Sequence, residues 1–496
     1  MEHSEIKIKS ENLNLLIISI SLASFMSSLD GTIVNIALPT ISSSFDISSS
    51  TVSWVSTIYL LVMAGCVLIF GKLSDGIGFK KVFLSGFLLF SLGSFLCGFL
   101  PDFLNSFGIL IGSRIFQAIG GAMITAIAPA MITAFIPMAQ KGKAMGIIMT
   151  AAALGTAIGP TVGGILTQYL SWHWIFFINV PVGIFAVILG KKVIPKSPNN
   201  PHYKGFDKTG GLLIFTGLAA FLFAITEGQI LGWTSPTILG TLILAFLLFA
   251  IFIRHELTTP DPLLELTLFK NYNFLMTNLI LGLVFFSLAG VNYLLPFYLQ
   301  YVKGYGTSDA GFILTALSVA LMISGIIAGF FFNRVGGKKL CICAGIILIA
   351  GYFLMTRLRI ETHIESVILS LLLIGFGMGL MMTPISNMIM NSVSKKYQGM
   401  ISSLTSLERF APMTLGIAFA NLIFVQGILS IAEHRGITES APVHIKLELM
   451  TAGFDLAFFC SFIIAIIIFV LSLFIRQEIH EDYLNADNEE IFSKTI

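Results

Sequence analysis

GKLSDGIGFKK, Gly71 to Lys81, returns in weaker form as GFFFNRVGGKK, Gly329 to Lys339. Each copy begins where a long apolar run ends, places glycines and a lysine pair in a short polar break, and hands over to another apolar run. A repeat at matching places in two halves is the pattern of a duplicated transporter. Two small basic loops, QKGKAMG at Gln140 to Gly146 and KKYQGMI at Lys395 to Ile401, hold a second equivalent pair of places.

The runs around these loops set the class. Of 496 residues 56% are hydrophobic and 11% charged, and the mean hydropathy is +0.91; a soluble domain carries about a quarter charged residues. A helix needs about 20 apolar residues to cross about 30 Å of hydrocarbon. Fourteen runs of that length can be drawn, near 14–38, 51–70, 82–100, 105–136, 143–169, 174–192, 209–227, 236–254, 274–299, 310–332, 340–357, 366–390, 398–425 and 453–475. The expected fold is an all-α polytopic membrane protein. The first run is too long for a signal-peptide core and stays as span 1.

Charge placement gives the orientation. With the amino terminus inside, most of the 28 Lys and Arg residues fall in alternate, inner loops, among them Lys72, Lys80, Lys81, Lys141, Lys143, Lys191, Lys192, Lys338, Lys339, Lys395 and Lys396. Both termini are therefore expected in the cytoplasm, with the chain in the cell membrane. PKSPNNPHYKGFDK, Pro195 to Lys208, reads as a linker between halves, and TTPDPLLELTLFKN, Thr258 to Asn271, as a segment along the inner interface. The expected organisation is a six-helix bundle over 1–192, a linker with an inserted pair (spans 7 and 8) over 193–272, a second six-helix bundle over 273–476, and a cytoplasmic tail over 477–496.

A charge at the bilayer centre costs about 2.5 to 3.5 kcal/mol, so one that persists needs a partner or a job. Asp30 falls in span 1, Arg114 and Gln117 in span 4, and Glu408 and Arg409 side by side in span 13. Glu227 and Asp455 fall near outer span ends, within reach of water. Counted from Leu38 and Asn105 at 1.5 Å per residue, Asp30 and Arg114 lie at depths of about 12 and about 13.5 Å. They can meet. One reading is a switchable ion pair whose separation changes proton occupancy; the other is a fixed salt bridge joining spans 1 and 4. Gln117, Glu408, Arg409 and Glu227 are candidates for substrate or coupling contacts.

GTAIGPTVGG, Gly155 to Gly164, sets Gly155, Gly159 and Gly163 four apart on span 5, with Gly164 and a mid-membrane Pro160. Such a helix packs closely and bends. In the Gly71 loop, Asp75 is expected to cap span 3, and Gly71, Asp75, Gly78, Lys80 and, in the second copy, Arg334 are candidates for inner-gate contacts.

On these residues the chain resembles the major facilitator superfamily, in its fourteen-span drug:proton antiporter branch. LDGTIVNIALP, Leu29 to Pro39, is similar to the branch's span 1 motif. RIFQAIGGA, Arg114 to Ala122, is similar to its proton-coupling motif, with Ala118 where glycine is usual. GTAIGPTVGG resembles the motif that marks exporters of the superfamily, and WHWIFFINVPVG at Trp172 to Gly183 with the Gly232–Trp233 pair are further marks. The inner-loop motif departs at Gly76 and Phe79, where basic residues are usual, and span 13 lacks the glycine-rich run after Arg409. The resemblance implies two six-span bundles about a central cavity. It further implies export of amphipathic or cationic small molecules driven by inward proton movement, with Asp30 and Arg114 coupling the proton.

Other classes find less support. A dedicated exporter of one metabolite, peptide or antibiotic would share the fold. The sequence contains no H-E-x-x-H, G-x-S-x-G or G-x-x-x-x-G-K-[ST], so neither an enzyme nor an ATP-driven pump is expected. A non-transporting sensor would need an output domain that neither the outer loop Val425–Ala452 nor the tail can house. The five cysteines, all in or beside apolar runs, indicate no disulfide framework and no metal site. No cofactor is expected beyond the proton gradient as energy source. Expected partners are lipid, protons and a small-molecule substrate, with a monomer as working unit. The net charge of +2 gives no footing for nucleic acid, and no signature of a periplasmic adaptor can be read.

Overall fold

The computed structural model describes residues 10–195, 207–260, 262–394, 398–437 and 441–476. The middle of the Pro195–Lys208 linker, Lys395 and Lys396, and the tail after Arg476 lie outside the described residues. Fourteen helical segments are long and apolar enough to cross a bilayer, and no strand occurs among the described residues. Spans 1 to 7 are Leu13–Phe45, Ser49–Ser74, Phe79–Phe103, Phe107–Ile132, Lys143–Tyr169, Trp174–Val193 and Lys208–Gly228; spans 8 to 14 are Pro236–Thr258, Tyr272–Val302, Thr307–Phe332, Gly337–Met355, Ile364–Asn391, Leu404–His434 and Val443–Phe474. Each expected apolar run is occupied by one span.

Three departures from the expected limits have local causes. Span 1 is not one straight helix: Ser10–Ile33 gives way to a 3-10 turn, Asn35–Ala37, before a second helix, Leu38–Phe45. Pro39 has no N–H to bond back to residue 35 and its ring crowds that carbonyl, so the break falls just past Asp30. The supposed outer loop Val425–Ala452 is mostly helix, since the helix of span 13 runs to His434 and span 14 begins at Val443. The span 13 helix stops at Gly436, φ +63°, where Ile437 N–H donates to the Ala432 carbonyl and Gly436 N–H to that of Glu433. Those paired bonds are how a left-handed glycine closes a helix. Finally, Asp75, expected to cap span 3, does not lie in a loop between helices. It belongs to the last turn of the helix Trp54–Ile77, and the residue at the head of the next helix is Gly78, φ +92° and ψ 142°. The Asp75 side chain lies outside the described residues.

The chain resolves into two compact units, one of Met1–Phe215 with Gly306–Thr315, the other of Thr216–Tyr305 with Ala316–Ile496. Two of the three divisions fall inside helices, in spans 7 and 10, and the third between spans 9 and 10. The repeat seen in the sequence is also a repeat of backbone shape. Gly336, at the place in GFFFNRVGGKK that Gly78 holds in GKLSDGIGFKK, has φ +89° and ψ 146° and likewise heads a helix. Only glycine takes that conformation without strain, so one turn geometry joins span 2 to 3 and span 10 to 11.

Within the first unit, span 5 lies along span 1 with nothing between the backbones. A Cβ on Gly163 would stand 2.6 Å from the Ile33 carbonyl oxygen; one on Gly155 would strike the Phe25 carbonyl oxygen, and one on Gly159 the Thr32 hydroxyl. In a bilayer, where no hydrophobic drive separates helix from lipid, such close approach supplies the dispersion energy of association. On another face of span 5, Gly164 meets the Thr307 carbonyl, 2.5 Å from an added Cβ, and the Pro160 carbonyl lies against Gly311.

Candidate functional site

The first unit buries an ion pair. Arg114 Nη1 donates to Asp30 Oδ2 at 3.0 Å, with both side chains sealed from solvent. An isolated charge of either sign would be prohibitive there, and even a pair needs its remaining donors and lone pairs met. They are met. Arg114 Nη1 also donates to Gln117 Oε1 at 2.6 Å, and Arg114 Nε to the Val55 carbonyl at 3.1 Å. Asp30 Oδ1 accepts from Gln117 Nε2 and from Asn179 Nδ2, each at 2.9 Å. Gln117 Nε2 has a second acceptor in Ser94 Oγ at 2.6 Å. The guanidinium carbon sits 4.1 Å from the Tyr59 ring centroid and 5.5 Å from that of Phe176, so aromatic faces close the cation on its remaining sides.

Each member is delivered by a local feature of its span. Asp30 lies in the last turn of the first helix of span 1, shortly before the break that Pro39 makes. Arg114 and Gln117 stand three apart on span 4 and so share a face. Asn179 opens the second helix of span 6, whose first helix, Trp174–Phe177, stops because Pro181 cannot continue it. Span 4 can approach span 3 so closely because Gly93 lies opposite Gln117, with an added Cβ only 2.5 Å from the Gln117 Cα.

The arrangement suits an anionic Asp30 facing three N–H donors. A proton on Asp30 would turn one accepting oxygen into a donor and force a neighbouring donor to leave. Protonation and geometry are therefore linked through Gln117 and Asn179 as well as Arg114.

Other candidates from the sequence lie elsewhere. Lys80 Nζ donates to the carbonyls of Lys191 and Ile194, both at 2.7 Å, closing the C-terminal end of span 6. Gly71 is bound at its carbonyl by Ser74 Oγ, 2.6 Å. The Arg334 guanidinium lies 4.9 Å from the Phe330 ring centroid and the Arg409 guanidinium 5.7 Å from that of Phe410. Glu227, near the end of span 7, and Glu408 belong to the second unit. Asp455, expected to reach water, is 22% exposed and forms an ion pair with Arg359. Sequence reasoning missed Ser94 and Asn179. Asn179 carried a signal, an amide inside an apolar run two residues before a proline; Ser94 carried none, one serine among many in the spans. No group of His, Cys, Asp and Glu that could hold a metal occurs among the described residues.

Residues 20–417 match the Major Facilitator Superfamily. The chain belongs to that superfamily. Its fourteen spans fit the fourteen-span branch. Among similar proteins, the riboflavin transporter RibZ of Clostridioides difficile is 34% identical over 84% of this chain and 89% of its own. The multidrug resistance protein Stp of Mycobacterium tuberculosis is 31% identical over 88% and 81%. A bacterial homologue of the human lysosomal transporter Spinster, solved inward-facing and occupied, superposes with a TM-score of 0.68 at 14% identity, covering 94% of this chain and 97% of its own. That likeness speaks for the fold alone. The protein is a multi-pass transporter of the major facilitator fold.

Proposed function

We propose that this transporter exports amphipathic or cationic small molecules in exchange for protons, by alternating access. The observation that carries the reading is the buried Asp30, whose one carboxylate is shared by Arg114, Gln117 and Asn179. A carboxylate so enclosed can take a proton only if its donors rearrange, and rearrangement of spans 1, 4 and 6 is what a change of access requires. Likeness to Stp supports a drug as cargo. Likeness to RibZ supports a second reading, a planar neutral solute such as a flavin.

Everted membrane vesicles separate the two. On imposing a proton gradient, acid inside, ethidium is taken up and a competing panel of lipophilic cations slows it, while riboflavin has little effect. Riboflavin uptake with no cation uptake would favour the second reading, and uptake of neither across a broad panel would remove export altogether.

A further inference from the structure

One short segment joins the buried ion pair to the surface of the first unit. His173, Phe176 and Asn179 follow one another at intervals of three, on successive turns of the run that opens span 6. Asn179 donates to Asp30, and the Phe176 ring closes one side of Arg114. Asn179 Oδ1 has no hydrogen-bond partner among the described residues, so the backbone of this segment is what aims the amide at Asp30. The Phe176 and Phe177 N–H groups both donate to the His173 carbonyl, at 3.0 and 3.1 Å, which ties the inner turn to the outer one.

His173 is placed to respond to pH. Its Nε2 lies 3.0 Å from Oδ2 of Asp102, in the last turn of the span 3 helix and at the end of that helix opposite Lys80 and Lys81. The two side chains line an open cavity of about 490 Å³ with Ser171 and Phe177, so water reaches them. No aligned hydrogen bond forms at His173 Nε2. The attraction therefore depends on charge, and histidine is the side chain whose charge changes near neutral pH. Spans 1, 3 and 5 and the remainder of span 6 pack on the segment. They add Asp46 and Tyr169 on this side of the bilayer, Asp30 and Cys97 within it, and lysines only at their far ends; the ion-pair partner of His173 among the described residues is Asp102.

We propose that His173 is a positioning residue for the Asp30 cluster, a latch that closes when its imidazole is protonated. At acid pH on that face the imidazolium holds Asp102, the segment is fastened to span 3, and Phe176 and Asn179 are kept on Arg114 and Asp30. As the pH rises and the imidazole loses its proton, the hold lapses. The latch is thus tightest where the proton supply is greatest. By keeping a donor on the Asp30 carboxylate it keeps that group charged until cargo moves the spans, and so limits proton entry without cargo. This role rests on the reading of proton exchange given above.

Trp172 supplies a reporter, since its ring centroid lies 3.6 Å from that of His173 and a protonated imidazole stacked on an indole quenches its fluorescence. In the purified full chain, emission is expected to fall on acidification, and to stay level in His173→Gln and in Trp172→Phe. Proton entry is then followed with a trapped pH dye in right-side-out vesicles without substrate. A partly exposed ion pair is weak, so His173→Gln is expected to leak about threefold faster than wild type at about pH 5.5 and equally at about pH 8. His173→Arg, charged throughout, is expected to match wild type at the acid pH. Asp102→Asn, a change at an exposed side chain, is expected to leak as His173→Gln does. Wild-type leak at acid pH in His173→Gln or in Asp102→Asn would overturn the assignment. So would a faster leak in His173→Gln at both pH values, or in His173→Arg, which would mark a packing role. A wild type that takes up no cation while the acid-selective leak of His173→Gln persists would overturn the export reading and leave the latch standing.

Discussion

Arg114 serves three acceptors with one planar group: Asp30, Gln117 and the Val55 carbonyl. A lysine ammonium is a point charge on a longer stem and cannot span the Nε and Nη1 positions together. Arg114→Lys should therefore keep the charge but orphan the Val55 carbonyl or the Gln117 amide, at a cost of about 1–3 kcal/mol for each buried group left unsatisfied. The expected outcome is a protein that inserts normally and melts lower, with gradient-driven export reduced tenfold or more in everted vesicles. Export at the wild-type rate would mean that charge alone suffices.

At the scale of the element, the span 1 to span 5 contact rests on glycines that are not equivalent. An added methyl at Gly155 meets backbone, the Phe25 carbonyl, which cannot move without shifting the helix. One at Gly159 meets the Thr32 side chain, whose hydroxyl is bonded to its own helix at Ser28 and Leu29 and can turn away. Overpacking a close contact costs about 1–3 kcal/mol where the neighbour cannot yield. Gly155→Ala should thus lower the melting temperature in detergent and admit a proton leak, with Gly159→Ala milder on both counts. The reverse order would show that the two helices do not meet as described.

Over the whole molecule, span number and fold were legible because bilayer thickness imposes a length on every apolar run, and a repeat of one loop announces duplication. The Asp30–Arg114 meeting was legible too, since charges in apolar runs are few and their depths can be counted along a helix. What completes the site was not. Ser94 is chemically ordinary, and the Val55 carbonyl and the Tyr59 ring matter only through the way span 2 packs. Asp75 was read into a loop because a polar residue between two apolar runs looks like a break, whereas the helix of span 2 runs on to Ile77 and the turn itself is made by Gly78. The helical ends of spans 13 and 14 extend beyond their apolar stretches, which hydropathy does not register.

The central claim, that Asp30 couples proton movement to export, is tested in proteoliposomes by comparing two modes of transport in wild type and Asp30→Asn. The first is accumulation of labelled substrate driven by an imposed proton gradient; the second is exchange of labelled for unlabelled substrate with no gradient. The account predicts that Asp30→Asn keeps the exchange and loses the accumulation. Gradient-driven accumulation in Asp30→Asn at the wild-type level would contradict it.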